Sequence, residues 1–156
     1  MVTNDTYIDI AISEAFNNID KNGGPFGALI ILNNVIIATG TNTVTLDNDP
    51  TAHAEINAIR NASKKLNRFD LSGCILYTSC EPCPMCLSAI YWSHIDEVYY
   101  ALTRQDANNA GFDDNYIYNE LSLPTDKRKI RFTNISRTKA LAVFEKWKNK
   151  NDKIAY

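Results

Sequence analysis

Residues 26–39 read FGALIILNNVIIAT, and this stretch decides the kind of fold the chain takes. Phe26 to Leu32 and Val35 to Thr39 are β-rich runs, and Asn33-Asn34 between them tolerates the positive φ of a hairpin turn. Two antiparallel strands are predicted. Working outward toward the N-terminus, Ile8, Ile12, Ala15, Phe16 and Ile19 recur at helical spacing over residues 7–19, and that segment ends into the turn Asn22-Gly23-Gly24-Pro25. On the other side, after the polar loop Gly40 to Asp49, Pro50-Thr51 can open a helix over residues 52–66, because Pro suits a first turn and Thr51 can cap. Cys74 to Ser79 reads as a third strand, Pro82 to about Trp92 as a helix and Glu97 to Leu102 as a fourth strand. Ala110 to Tyr118 is a loop or short helix, Lys129 to Thr133 a fifth strand, and 137–150 a last helix. A hairpin followed by strands alternating with helices implies an α/β fold: a three-layer α/β/α sandwich with a mixed sheet.

With 156 residues the chain fits one domain. No repeat, low-complexity tract or Pro/Gly linker marks a boundary, so residues 1–156 are read as a single unit. A content of 45% hydrophobic and 22% charged residues excludes disordered and fibrous classes. No apolar run approaches the ~20 residues that span a bilayer. The start MVTNDTYIDI lacks the basic and apolar regions of a signal peptide, so a cytoplasmic address without membrane partners is expected. Net charge is -2 and the pI about 5.6, far from the pI above ~9 of nucleic-acid-binding domains, which makes nucleic acid an unexpected partner. The average hides an asymmetry: residues 1–123 hold 6 Lys/Arg against 15 Asp/Glu, while 124–156 hold 10 against 3. A solvated basic helix, contact with RNA, and docking on the acidic surface of a second subunit are all compatible with that tail.

Three of the four cysteines, Cys80, Cys83 and Cys86, fall within seven residues, a spacing that suits one metal better than a disulfide framework. His53-Ala54-Glu55 and Pro82-Cys83-Pro84-Met85-Cys86 match the H-x-E and P-C-x-x-C halves of the zinc deaminase signature. The spacing has a physical reason. Positions i and i+3 share a helix face, so Cys83 and Cys86 can offer both sulfurs to one ion, and a helix N-terminus favours the thiolates that zinc requires. His53, at a separate helix start, closes a third corner, and tetrahedral Zn2+ with three protein ligands keeps a fourth position for water. Glu55 lies about 200° around a regular helix from His53, so it is read not as a ligand but as the carboxylate that moves protons beside the metal. Cys80 supports a competing reading, because Cys80-Glu81-Pro82-Cys83 is also a CxxC. Four ligands from Cys80, Cys83, Cys86 and His53 would make a closed structural site, a zinc scaffold and no enzyme. Cys74 and Met85 read as core residues, Glu81 as a loop carboxylate, and His94 as structural.

At this point the chain resembles the nucleobase deaminases of the cytidine-deaminase fold and, within them, the bacterial guanine deaminases. The stretches that carry the resemblance are Gly23 to Ala28, Asn48 to Glu55, Leu76 to Tyr91 and Ala110-Gly111-Phe112-Asp113-Asp114. The first three are shared with tRNA adenosine deaminases; Ala-Gly-Phe-Asp-Asp and the Tyr-ended C-terminus discriminate. The resemblance implies zinc-dependent hydrolysis of guanine to xanthine and ammonia, in purine catabolism or salvage. A tRNA adenosine deaminase is the runner-up, and a cytosine deaminase stands behind it. The resemblance also implies that Asn42 reaches the base, with a turn residue bonding its own backbone as the alternative. Phe26 and Trp92 look like apolar walls for a planar purine, or else core aromatics. Asp114, rather than Asp113, would accept a proton-bearing edge of guanine and relay a proton to the departing 2-amino group. Bacterial guanine deaminases exchange C-terminal segments in dimers, so the resemblance implies a homodimer in which residues 137–156 can be exchanged and Tyr156 helps to close the partner's pocket.

Overall fold

In a computed structural model that describes residues 3–156, Asn33 and Asn34 both take positive φ, 50° and 62°, and join β1 (Gly24–Leu32) to β2 (Val35–Asn42). The hairpin forms one side of the sheet, with β2 at its edge. β3 (Cys74–Cys80) pairs antiparallel with β1, and β4 (Glu97–Leu102) pairs parallel with β3, giving a mixed four-stranded sheet of order β2-β1-β3-β4. Successive β1 side chains serve opposite faces. Leu29 and Ile31 pack with Tyr77 against Tyr7 and Ala11 of α1 (Asn4–Ile19). The polar loop after β2 carries a short helix, α2 (Val44–Asp47). Ala28 and Ile30 face α3 (Ala54–Leu66) and α4 (Pro84–Trp92), meeting Ala54, Ala58, Ala62 and Ile90. Helices therefore cover both faces, in the three layers the sequence implies.

The face that α1 buries is not the one its large residues mark. Tyr7, Ala11, Ala15 and Asn18 are buried, whereas Ile12, Phe16 and Ile19 are exposed. The cause is close approach: a Cβ on Gly27 would lie 2.4 Å from the Ala11 carbonyl oxygen and 2.6 Å from the Ala15 nitrogen. Only small residues fit opposite Gly27, so Ile12, Phe16 and Ile19 face outward, while Tyr7 and Ile8, one turn earlier, still pack on the sheet.

Helix starts also move. Pro50 and Thr51 belong to a turn, with Asp49 Oδ1 accepting from the Thr51 N–H at 2.8 Å and from its hydroxyl at 2.7 Å, and α3 begins only at Ala54. α4 begins at Pro84 and not at Pro82. Beyond β4, Thr103 and Asp106 form a reciprocal capping box that starts α5 (Arg104–Asn109).

The chain divides into two compact units, one running to Asn115 and one from Tyr116 to Tyr156. The second contains α6 (Asn115–Ser122) beyond its first residue, a 3₁₀ turn over Thr125–Lys127, and α7 (Arg137–Lys148). The fifth strand expected over Lys129 to Thr133 is absent: these residues hold no strand. The Lys129 N–H instead donates to Glu120 Oε2 at 2.7 Å, and the Arg128 guanidinium donates to the Leu123 carbonyl at 3.1 Å, so local bonds to α6 and its end replace sheet pairing. Among the described residues no helix is long and apolar enough to cross a membrane.

Candidate active site

Two helix starts build the site. His53 is the N-cap of α3 and Cys83 the N-cap of α4, and both are extended, at φ -72°, ψ 159° and φ -66°, ψ 168°. For Cys83 the cause is local: the following Pro84 disfavours helical backbone at the residue before it. His53 is held by the turn that precedes it, where its N–H donates to the Thr51 carbonyl at 2.8 Å and the Thr43 N–H donates to the Ala52 carbonyl at 2.9 Å. The expectation of His53 inside a helical turn, and of both cysteines inside one helix, is thus corrected: each half of the signature uses a cap and a residue of the first turn.

The result is a compact donor cluster. His53 Nδ1 lies 3.6 Å from Cys83 Sγ and 3.6 Å from Cys86 Sγ, and the three ligand atoms lie within 4.8 Å of one another. Bonds of about 2.3 Å to sulfur and about 2.05 Å to nitrogen at a tetrahedral angle put S and N about 3.6 Å apart, so this donor set fits zinc in spacing as well as in chemistry. Cys80 is outside the cluster. Its thiol donates to the Thr103 carbonyl at 3.6 Å, and burial pushes it up to about 11, away from the thiolate a metal needs. The closed four-ligand arrangement is therefore not formed among the described residues. His94 is also elsewhere, with Nδ1 3.6 Å from Asp70 Oδ2.

Glu55, 6% exposed, borders the cluster, accepting from Cys86 Sγ at 3.4 Å. Burial raises its acid range. A hydrogen bond from Cys86 holds Cys83 well below the usual thiol range, with His53 adding to the effect, while the same bond and burial push Cys86 up. His53 is raised by its bond to Cys83. The two sulfurs and the imidazole meet at two convergent helix N-termini, where partial positive charge favours anionic sulfur.

Asp114 is the second carboxylate of interest. Its Oδ1 is buried without a hydrogen-bond partner, and desolvation, followed by the nearby Cys83 sulfur, raises its acid range. A buried carboxylate oxygen left unsatisfied is costly, which marks it as aimed at something the polypeptide does not supply. Asp113, by contrast, is exposed and accepts the Asn115 N–H at 3.1 Å. Phe26 is partly buried, edge-on to Phe112 with ring centroids 4.9 Å apart. Asn42, 8% exposed, accepts the Val44 N–H at its Oδ1 at 3.3 Å, the turn bond of the alternative reading, which engages its side-chain oxygen. Trp92 ends α4 with 65% exposure, which rules out the core alternative for it. Tyr156 is an exposed residue of the second unit.

Two features escaped sequence reading. Phe112 was legible only as part of a motif, yet it forms the ring contact that seats Phe26. Asn57 donates from Nδ2 to the Thr41 carbonyl at 2.9 Å and to Thr43 Oγ1 at 3.0 Å, fastening the end of β2 to the start of α3. A lone Asn in a helix gives no signal of such a tie.

Residues 1–102 match the family model described as the cytidine and deoxycytidylate deaminase zinc-binding region. The guanine deaminase of Bacillus subtilis is 47% identical over 156 residues, covering 99% of this chain and 100% of the relative. Its X-ray structure superposes with a TM-score of 0.97 over 99% of each chain. A guanine deaminase structure from Nitrosomonas europaea is 30% identical with a TM-score of 0.70, covering 86% of this chain and 70% of that one. A tRNA-specific adenosine deaminase from Aquifex aeolicus is 35% identical over 126 residues, 81% of each chain.

Proposed function

The chain belongs to the cytidine and deoxycytidylate deaminase family with a zinc-binding region, and from that premise we propose that it is a guanine deaminase, hydrolysing guanine to xanthine and ammonia. The observation that carries this reading is the extent of the likeness. Similarity to a guanine deaminase runs through 99% of the chain, second unit included, while similarity to the Aquifex tRNA adenosine deaminase covers 81%. Ammonia release from guanine, adenine, cytosine, guanosine and tRNA tests it: guanine turns over fastest, and faster release from any of the others overturns the assignment.

His53, Cys83 and Cys86 would hold one zinc ion per chain. Zinc there supplies Lewis acidity, which lowers the pKa of water toward neutrality. The rest of the chemistry belongs to side chains. In the reaction a water oxygen bonds to C2 of guanine, the bond from C2 to the exocyclic nitrogen breaks, and that nitrogen leaves as ammonia. Glu55, buried beside the donor cluster, takes the proton of the attacking water and returns it to N3. Asp114, with its buried and unsatisfied Oδ1, protonates the departing amine and regains that proton from the C2 hydroxyl as it becomes the carbonyl of xanthine. Phe26 and Trp92 flank the planar base, and the Asn42 amide donates to its acceptor edge.

The proposed partner is a second copy of the chain. β4 is an edge strand whose Tyr100 and Leu102 are about half exposed, and the β-patterned segment at Lys129 to Thr133 lacks a sheet partner. The second unit carries 10 Lys/Arg against 4 Asp/Glu, and the first carries 6 against 14, so opposite charge favours association of one copy's second unit with another copy's first. Exchange of residues 137–156 would bring Tyr156 to the partner's pocket. Sedimentation at micromolar concentration checks this: a monomer that retains full guanine turnover removes it.

A further inference from the structure

The pocket residues Phe26 and Asn42 sit at a break in the β1–β2 ladder. Gly24 pairs with Asn42 and Gly27 with Thr41, so Pro25 and Phe26 bulge out of register between two adjacent residues of β2. Bulged backbone is locally soft, because its groups lose ladder partners. One side chain compensates. Asn18, in the last turn of α1 and 3% exposed, donates from Nδ2 to the Gly24 carbonyl at 2.8 Å and to the Asn42 carbonyl at 2.8 Å. A single amide group thus spends both its hydrogens on the two strand residues that frame the bulge. The glycines beside it are shaped to this clamp: a Cβ on Gly23 would stand 2.2 Å from Asn18 Nδ2, and one on Gly24 would stand 2.8 Å from Asn42 Cγ.

We propose that Asn18 is a positioning residue for base recognition, fixing the separation between Phe26 and Asn42 and hence the width and register of the slot that accepts the purine. It acts through Asn42 and the Phe26 bulge and touches neither substrate nor metal. The proposal rests on the reading that Phe26 and Asn42 contact the base. A clamp of this kind controls substrate binding more than the chemical step, since the donor cluster, Glu55 and Asp114 are anchored on α3, α4 and the segment after α5.

The test measures kcat, KM for guanine, zinc content and Tm for Asn18→Ala, with Ile31→Val and Ile31→Ala as controls in the same layer of the core. The controls bracket the stability lost when the two carbonyls lose their donor. Asn18→Ala is expected to raise KM about tenfold or more while kcat stays within about threefold and zinc is retained, with KM near parental in both controls. A KM for Asn18→Ala no higher than that of an Ile31 variant of equal Tm overturns the proposal. Should Asn18→Ala not fold, Asn18→Ser decides by the same criteria, because a single hydroxyl hydrogen cannot donate to both the Gly24 and the Asn42 carbonyls. Asn42→Ala separates the two layers of inference. Parental KM in that variant sinks the base-contact reading itself, whereas a raised KM there beside an unmoved KM in Asn18→Ala sinks the clamp alone.

Discussion

The two units of this chain are built on opposite terms. In the unit ending at Asn115, a mixed sheet buries Leu29, Ile30, Leu76 and Tyr77 almost completely between helices, and nearly every residue implicated in chemistry is held by that frame. From Tyr116 onward no residue is buried, and Leu141, Val143, Phe144 and Trp147 of α7 are all exposed. A 12-residue helix without a covered apolar face is marginal in water. What the difference teaches is that the first unit has the means to fold and to hold a reactive site, while the second has an amphipathic sequence whose apolar side calls for another surface. The proposed division follows: chemistry in the first unit, closure by the second.

That division is most severely exposed at the donor cluster. Cys83→Ala should lose zinc and with it guanine turnover, by a factor of about 10⁴ or more, because the Lewis acid goes with the ligand. Cys80→Ala should keep one zinc per chain, since its sulfur bonds the Thr103 carbonyl. Elemental analysis decides, and zinc loss in Cys80→Ala equal to that in Cys83→Ala would show four ligands where the geometry has three. Next in size is Glu55→Gln. An amide keeps the shape but moves no proton, so turnover should fall by about 10³ to 10⁴ at unchanged zinc content and Tm. Turnover within a few-fold of the parent removes Glu55 from the mechanism.

Much of this unit was legible in the sequence because short-range chemistry dictates it. The Asn33-Asn34 turn, the four strands and the pairing of H-x-E with P-C-x-x-C each follow from a few adjacent residues. What was not legible depends on distance between elements. The buried face of α1 is set by how closely Gly27 lets a helix approach, and Ile12, Phe16 and Ile19 mislead because their spacing says nothing of that approach. The positions of His53 and Cys83 as caps depend on where helices begin, which is the softest feature of any pattern. The run at Lys129 to Thr133 has strand composition, yet strand composition becomes a strand only beside a partner edge.

The paired aspartates sharpen the boundary between the units, since they lie just before it. Asp114→Asn should lower kcat by about 10², because its buried Oδ1 has no other partner and is the proposed donor to the leaving nitrogen. Asp113→Asn should stay within a few-fold, its carboxylate being exposed and bonded to the Asn115 N–H. Steady-state rates on the two variants check this, and the reverse order would transfer the role to Asp113.

The smallest effect is expected at the far end of the second unit. Residues Asn151 to Tyr156 follow α7, and an exposed terminus of this kind is ordinarily dispensable. Its expendability for folding is what makes it a clean probe. Removing it uncovers no core, so Tm should move by less than about 4 °C. If Tyr156 closes the pocket of a partner copy, the same deletion should lower guanine turnover roughly tenfold, the loss of about 1.4 kcal/mol of transition-state stabilisation. It should also narrow the preference for guanine over guanosine, because a lid that excludes water also excludes a ribose. Tyr156→Phe then separates ring from hydroxyl: a lid that works by packing keeps most of its effect with Phe, while one that works by a hydrogen bond loses it. Parental turnover and parental selectivity in the truncated chain would leave the second unit with no part in closure, and its exposed apolar residues would then need an explanation outside the pocket.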